Sequence, residues 1–299
     1  MSRGSTSVDP TVGLEVAAPP SERVQARKEL WRLIRRRPAF IAGSVILVFW
    51  VVCALFGRLI APRDFSDFHT TPHLSPRWAF PFGTDKIGRD VFSRVIVGAW
   101  DVLKVAPIAA FIGVFFGVIL GLAMGYLRGW FDNVASRIIE AFLALPVVLT
   151  ALLAITVLGR STTVVIATIS ILFTPIVART VRAAVMAERD LDYVTSARLR
   201  GESAVFIMFG EILPNIMGPI VVELTVRIGY AVFTVATLSF LGAGPGVESP
   251  DWGVLVSESF RSIYAGFWWT TLFPAAAIAS LVVAVNLVAD AVQSVVEAS

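Results

Sequence analysis

Few residues of this chain combine a reactive type with a spacing that would let them react. The run Gly83-Thr-Asp-Lys-Ile-Gly88-Arg89-Asp90 has the GxxxxG frame of a phosphate-binding loop. Its two decisive positions are wrong, because Arg89 stands where the phosphate-binding Lys should be and Asp90 where the magnesium-holding Ser or Thr should be. No strand pattern precedes it, so it reads as a turn leading into an amphipathic helix from about Asp90 to Asp101. His69 and His73 are four apart, a zinc spacing on a helix, but Pro72 falls between them and the segment reads as loop. No metal site is expected. Neither HExxH nor GxSxG nor an intramembrane Asp pair occurs, which leaves a membrane protease or esterase without a constellation. Cys53 is the single cysteine and lies in an apolar run, so it reads as a small buried side chain. Glu223 and Arg227 also lie in an apolar run, where charge is costly and is retained only when paired or facing water. Their i,i+4 spacing puts both on one helix face in the favourable Glu-before-Arg order. Two readings stay open for them: a structural intrahelical pair, or a polar contact facing a pore or a second subunit.

The elements that must position these residues are those of a membrane protein. The 299 residues are 56% hydrophobic and only 16% charged; an ordinary soluble domain is about a quarter charged. Six apolar runs follow one another, approximately Phe40–Ile60, Leu103–Leu127, Ile138–Leu158, Thr163–Val181, Ile216–Phe240 and Thr270–Ala289. Each is near the ~20 residues needed to cross the hydrocarbon core as a helix. Gly113, Gly117, Gly121 and Gly125 form a stripe every four residues on the second run, suited to close approach of another helix, within the subunit or across an interface. The expected fold class is all-α integral membrane, with six transmembrane helices.

Residues 1–22 are Ser-, Pro- and Gly-rich and read as a disordered tail. Residues 23–39 carry the basic positions Arg23, Arg27, Lys28, Arg32, Arg35, Arg36 and Arg37 around Val24, Leu30, Trp31 and Ile34. They form either a helix lying on the inner membrane surface or a plain topogenic flank. The net charge of +3 comes mainly from this segment; without a reading motif it indicates no nucleic-acid partner. The chain then divides into 40–102, the first span and a loop; 103–292, a five-helix core; and 293–299, a C-terminal tail. With the N-terminus inside, the inner segments hold fifteen Lys and Arg residues and the outer segments seven, which places both termini in the cytoplasm. The loops Ala61–Val102 and Leu241–Phe267 are then outside. The second of these is rich in Gly and Pro, and Gly242, Gly244, Pro245, Gly246, Pro250 and Trp252 are its candidate contacts with an external partner. Trp252, Trp268 and Trp269 suit an interfacial belt.

The inner segment Asp192–Pro214 is a polar island between apolar blocks. Asp192–Arg200 and Glu202–Leu213 read as two short helices, and Gly201 between them lets the backbone turn. Val205, Phe206, Met208, Phe209 and Ile212 give the second helix an apolar face, which packs on its own bundle or fits a protein groove.

This segment resembles the EAA loop of ABC-transporter permeases, whose pattern is EAA, three residues, Gly, nine residues, then I-x-L-P. Ala197, Gly201, Leu213 and Pro214 match; Thr195, Ser196 and Glu211 depart from it. FGTDKIGRDVFSRVIVGA (Phe82–Ala99), GYLRGWFDNVASRIIE (Gly125–Glu140) and LSFLGAG (Leu238–Gly244) are similar to the dipeptide/oligopeptide/nickel permease family, C-type subunit, whereas the closing NLVADAVQSVVEAS departs from it. The resemblance implies a type I ABC importer permease forming half of a pore for di- or oligopeptides in a prokaryotic inner membrane. It implies a second homologous permease, two cytoplasmic ATPase subunits that bind ATP and Mg, and an extracytoplasmic solute-binding protein, with no cofactor on this chain. The coupling segment would comprise Ala197, Gly201, Glu202, Ser203, Val205, Phe206, Leu213 and Pro214. The alternatives are a permease for nickel or another small solute, or a secondary transporter working alone; few intramembrane carboxylates and no evident inverted repeat stand against the latter.

Overall fold

The computed structural model describes residues 37–68, 71–244 and 248–296, and every regular element among them is helical. The N-terminal tail and nearly all of the basic segment lie outside the described residues, as do His69, Pro245 and Gly246. Helix α1 spans Pro38–Ile60. Its opening Pro has no N–H to leave unsatisfied and a φ already suited to helix. Helix α2 spans Val91–Leu127 and is capped by Asp90, whose carboxylate accepts from the Ser93 N–H at 3.2 Å. The expected amphipathic helix at Asp90–Asp101 and the second apolar run are therefore one element, because no breaker lies between Asp101 and Leu103. The division at 102/103 falls inside it.

The third apolar run is not one straight span. It is divided into α3, Gly129–Leu143, and α4, Val147–Leu158, which meet at 87°. Pro146 sits at the break: it lacks a donor and pushes Leu145 away from the helical region. Helix α5 runs Thr162–Glu188 from a Ser161 cap, and α6 runs Asp192–Leu199. A short segment α7 follows over Ala204–Asn215, then α8 over Met217–Leu238 and α9 over Trp252–Ser259. The last helix, α10, spans Trp269–Val296, so the segment expected to be a tail from 293 continues as helix through Val296. Five of these helices are long and apolar enough to cross a membrane, or six if the bent pair counts as one span. The expected outer loop 241–267 is largely folded, into α9 and a 3₁₀ turn over Phe260–Ala265.

The glycine stripe packs inside the subunit. Helix α2 lies along α5, and ideal Cβ atoms at Gly117, Gly121 and Gly125 would stand 2.5–2.7 Å from the Cβ atoms of Val177, Val181 and Val185. Both rows repeat every four residues, so the ridge of one helix enters the groove of the other. Gly117→Ala is expected to lower stability by about 1–3 kcal/mol through overpacking. Thermal unfolding of the purified chain would show it, with Gly210→Ala, whose nearest contact is the Phe206 ring at 3.4 Å, as the silent control.

Candidate functional site

The segment 192–215 closes one end of the bundle, and its chain path follows from local rules. Helix α6 ends in a Schellman motif: Glu202 N–H donates to the Ala197 carbonyl at 3.2 Å and Gly201 N–H to the Arg198 carbonyl at 3.0 Å. That motif needs a left-handed residue, and Gly201 supplies φ +78° with nothing near its absent Cβ. Ser203 then caps α7 by accepting from the Phe206 N–H at 3.2 Å. Between Ile207 and Ile212 the helix widens to a π-type turn.

Two apolar faces result. Val194, Ala197, Ile207, Met208 and Ile212 are buried against Val177, Val181 and Val185 of α5 and against Leu122 of α2. Val205, Phe206 and Phe209 are 62%, 49% and 43% exposed on the opposite face, and Leu199 joins them. The apolar set read from the sequence is thus split, with Met208 and Ile212 holding the segment to the bundle. Ala197, expected among the docking residues, is fully buried and belongs to the anchor, and Leu213 is half-buried beside it. Glu211 has a definite role: it accepts from the Arg200 guanidinium at 3.2 Å, while Glu202 stands 3.7 Å from the same group. This bridge ties α6 to α7 across Gly201. Further back, Asp132 of α3 accepts two bonds from Arg182 of α5 at 2.5 and 2.7 Å, fixing the neighbouring corner.

The opposite end carries a charge cluster built on the GxxxxG run. Gly83 and Gly88 both have left-handed φ, +72° and +86°. Asp85 accepts from the Ile87 and Arg89 N–H groups at 3.0 and 2.9 Å, from Arg89 Nε at 2.7 Å and from Arg94 Nη1 at 3.0 Å. The amides a phosphate would need are therefore already engaged. Burial pushes the Asp85 pKa up, but the hydrogen bonds from Arg89 and Ile87 and the Arg89 charge outweigh it and hold the carboxyl below its ordinary value. Glu258 on α9 receives Arg89 at 3.3 Å, Arg94 at 3.5 Å and Lys86 at 3.6 Å. Arg94 also donates to the Ser249 carbonyl at 2.9 Å and is almost wholly buried. The cluster pins α9 and the chain before it to the start of α2. Glu258 is its sequence-distant member, and only the repeated cations at Lys86, Arg89 and Arg94 hinted that a carboxylate must meet them.

Trp252 and Pro250 are buried, and the Trp252 indole donates to the Val95 carbonyl at 2.7 Å. They face this chain rather than an external partner, and Gly244 is buried as well, while Gly242 is exposed at φ +88°. Of the belt tryptophans, Trp268 is half-exposed and Trp269 is buried. His73 stacks on Phe267 with ring centroids 4.0 Å apart. No group of three metal-ligating side chains occurs among the described residues. Glu223 accepts from Arg227 Nε at 2.8 Å, within one helix, and the guanidinium lies over the rings of Tyr230 and Phe173 at 5.1 and 5.7 Å.

Comparison with known proteins follows the same lines. Residues 117–299 match the family described as binding-protein-dependent transport system inner membrane component, and residues 26–76 match the N-terminal TM domain of oligopeptide transport permease C. The glutathione transport system permease protein GsiD of Shigella flexneri serotype 5b (strain 8401) is 38% identical over 271 residues, covering 90% of this chain and 89% of that protein. The GsiD protein of Escherichia coli O1:K1 / APEC is 36% identical over the same length and with the same coverage.

Proposed function

The chain belongs to the family of binding-protein-dependent transport system inner membrane components, and from that premise we propose that it forms half of a peptide-conducting pore driven by separate ATPase subunits. It is a permease subunit of an ABC importer and a multi-pass protein of a bacterial inner membrane. The substrate class proposed is short peptides, including glutathione-like tripeptides, because its relatives are named for glutathione transport and its N-terminal region matches the oligopeptide permease type. The partners proposed are a second homologous permease, two cytoplasmic ATPases holding ATP and Mg, and a solute-binding protein on the outer side. Both termini and the segment 192–215 lie in the cytoplasm in this reading, on the basic side of the bundle.

The observation that carries the proposal is the pairing, on the segment 192–215, of a buried anchor with an exposed apolar row, Leu199, Val205, Phe206 and Phe209. A segment fixed by one face and apolar on the other can receive a rigid push from a docked partner. The test is affinity capture of the assembled complex through this chain, with the second permease and the two ATPase subunits co-expressed. Stoichiometric ATPase subunits are expected; capture of the two permeases with no ATPase would overturn the proposal. Gly242 is retained as a contact for the binding protein.

The Glu223–Arg227 pair is proposed to present its polar edge toward the pore or the second permease. Arg227→Leu is then expected to cut transport by tenfold or more while the amount of inserted protein stays within twofold, measured by uptake and immunoblot on the same membranes. Unchanged uptake would remove the pair from the transport path.

A further inference from the structure

A cavity of about 710 Å³ opens between the last turns of α1, the third turn of α2 and residues 248–250. It adjoins the ion cluster at Ser249, whose carbonyl accepts from Arg94, and lies apart from the segment 192–215. Its size falls within the ~300–1,000 Å³ of small-molecule sites. The charged groups that line it are Arg58, Asp101 and Glu248. Asp101 is half-buried and accepts from the Ser249 hydroxyl at 2.9 Å, which fixes the carboxylate at the wall. The rim is apolar: Leu55 and Phe56 of α1 are 62% and 50% exposed, and Trp100 of α2 stands beside them.

Depth in the membrane follows from helix length. Helix α1 has 23 residues, so it spans roughly 34 Å, close to the ~30 Å hydrocarbon core. Arg58, in its last turn, is therefore at headgroup level, with Phe56 facing the upper acyl chains. Trp100, amphipathic and half-exposed, suits the same level. A cation and two carboxylates around one cavity complement a ligand carrying both charges. We propose that this cavity binds an aminophospholipid through its phosphoethanolamine headgroup. The phosphate meets Arg58, the ammonium N–H groups donate to Asp101 and Glu248, and the acyl chains descend over Phe56 and Leu55. A quaternary choline has no N–H to donate to these carboxylates, so phosphatidylcholine fits less well. A zwitterionic peptide carries the same two charges, but an apolar rim at this depth and exposure faces hydrocarbon rather than water.

The test uses the full chain in nanodiscs made from equal parts of phosphatidylethanolamine, phosphatidylcholine and phosphatidylglycerol, released into the gas phase for native mass spectrometry. Retained phosphatidylethanolamine should exceed each of the other two by at least fivefold. Arg58→Gln and Glu248→Gln, made separately, should each lower that retention about tenfold; both side chains are exposed, and thermal unfolding checks that each variant is folded. Equal retention of the three lipids, preference for phosphatidylglycerol, or unchanged retention in both variants would overturn the assignment. Loss of the lipid on adding millimolar tripeptide, or on binding the second permease, would overturn it too, by giving the cavity to peptide or to protein.

Discussion

Phe206→Asp is expected to abolish coupling while leaving the permease folded and inserted. Phe206 is half-exposed on the apolar row, and its ring has no place in the buried face that holds the segment. An aromatic side chain at the centre of an interface commonly carries about 2 kcal/mol or more, which is roughly a thirtyfold loss in affinity for the docked partner. A carboxylate there adds an unpaired charge to an apolar groove. Peptide-stimulated ATP hydrolysis by the reconstituted complex should therefore fall by tenfold or more, whereas the melting temperature of the isolated chain should stay within a degree or two. Glu211→Ala separates docking from geometry. It removes the bridge to Arg200, which is half-exposed and worth little in stability, so the ATPase should still bind but respond less to substrate.

The second large effect is at the opposite end. Asp85→Ala should cost about 3–5 kcal/mol, because it leaves Arg89 and Arg94 facing each other with half their counter-charge removed. It also strips the acceptor from the Ile87 and Arg89 amides. Denaturation followed by tryptophan fluorescence would register the loss, since Trp252 is buried against the start of α2, to which this cluster pins α9. The pH dependence has a definite sign. The folded pKa of Asp85 lies below its ordinary value, so its contribution is complete above the unfolded value of about 3.9 and is lost as pH falls through the folded one. Between pH 5 and 8 this carboxylate should contribute no slope.

How far these features could be read in advance depended on their range along the chain. Gly201, Ser203 and the turn they make are set by residues within a few positions, so the two short helices of 192–215 were legible as local rules. The spans were legible because apolar length alone requires helix in lipid. Hydropathy does not register direction, however: Pro146 lies inside an apolar run, and the two helices that meet there are bent by 87°. The glycine stripe announced a close neighbour, but its partner, the row Val177–Val181–Val185, is fixed only by packing. The GxxxxG run could be rejected as a phosphate loop from two residue types, yet its use depends on Glu258, well over 150 positions away. Trp252 shows the reverse error: a loop-like Gly and Pro neighbourhood suggested exposure, while its indole is the best buried group of that region. Glu211, which departs from the EAA pattern, made sense only when Arg200 stood opposite it.

This chain is expected to conduct peptide only as part of an ATP-driven assembly. Uptake of radiolabelled glutathione into proteoliposomes tests it most directly, with this chain, the second permease, the ATPases and the binding protein purified separately and combined. The predicted result is uptake that requires ATP and all four components and that falls to background when this chain carries Phe206→Asp. Uptake of the same rate by this chain alone, driven by a proton or sodium gradient without ATP, would contradict it.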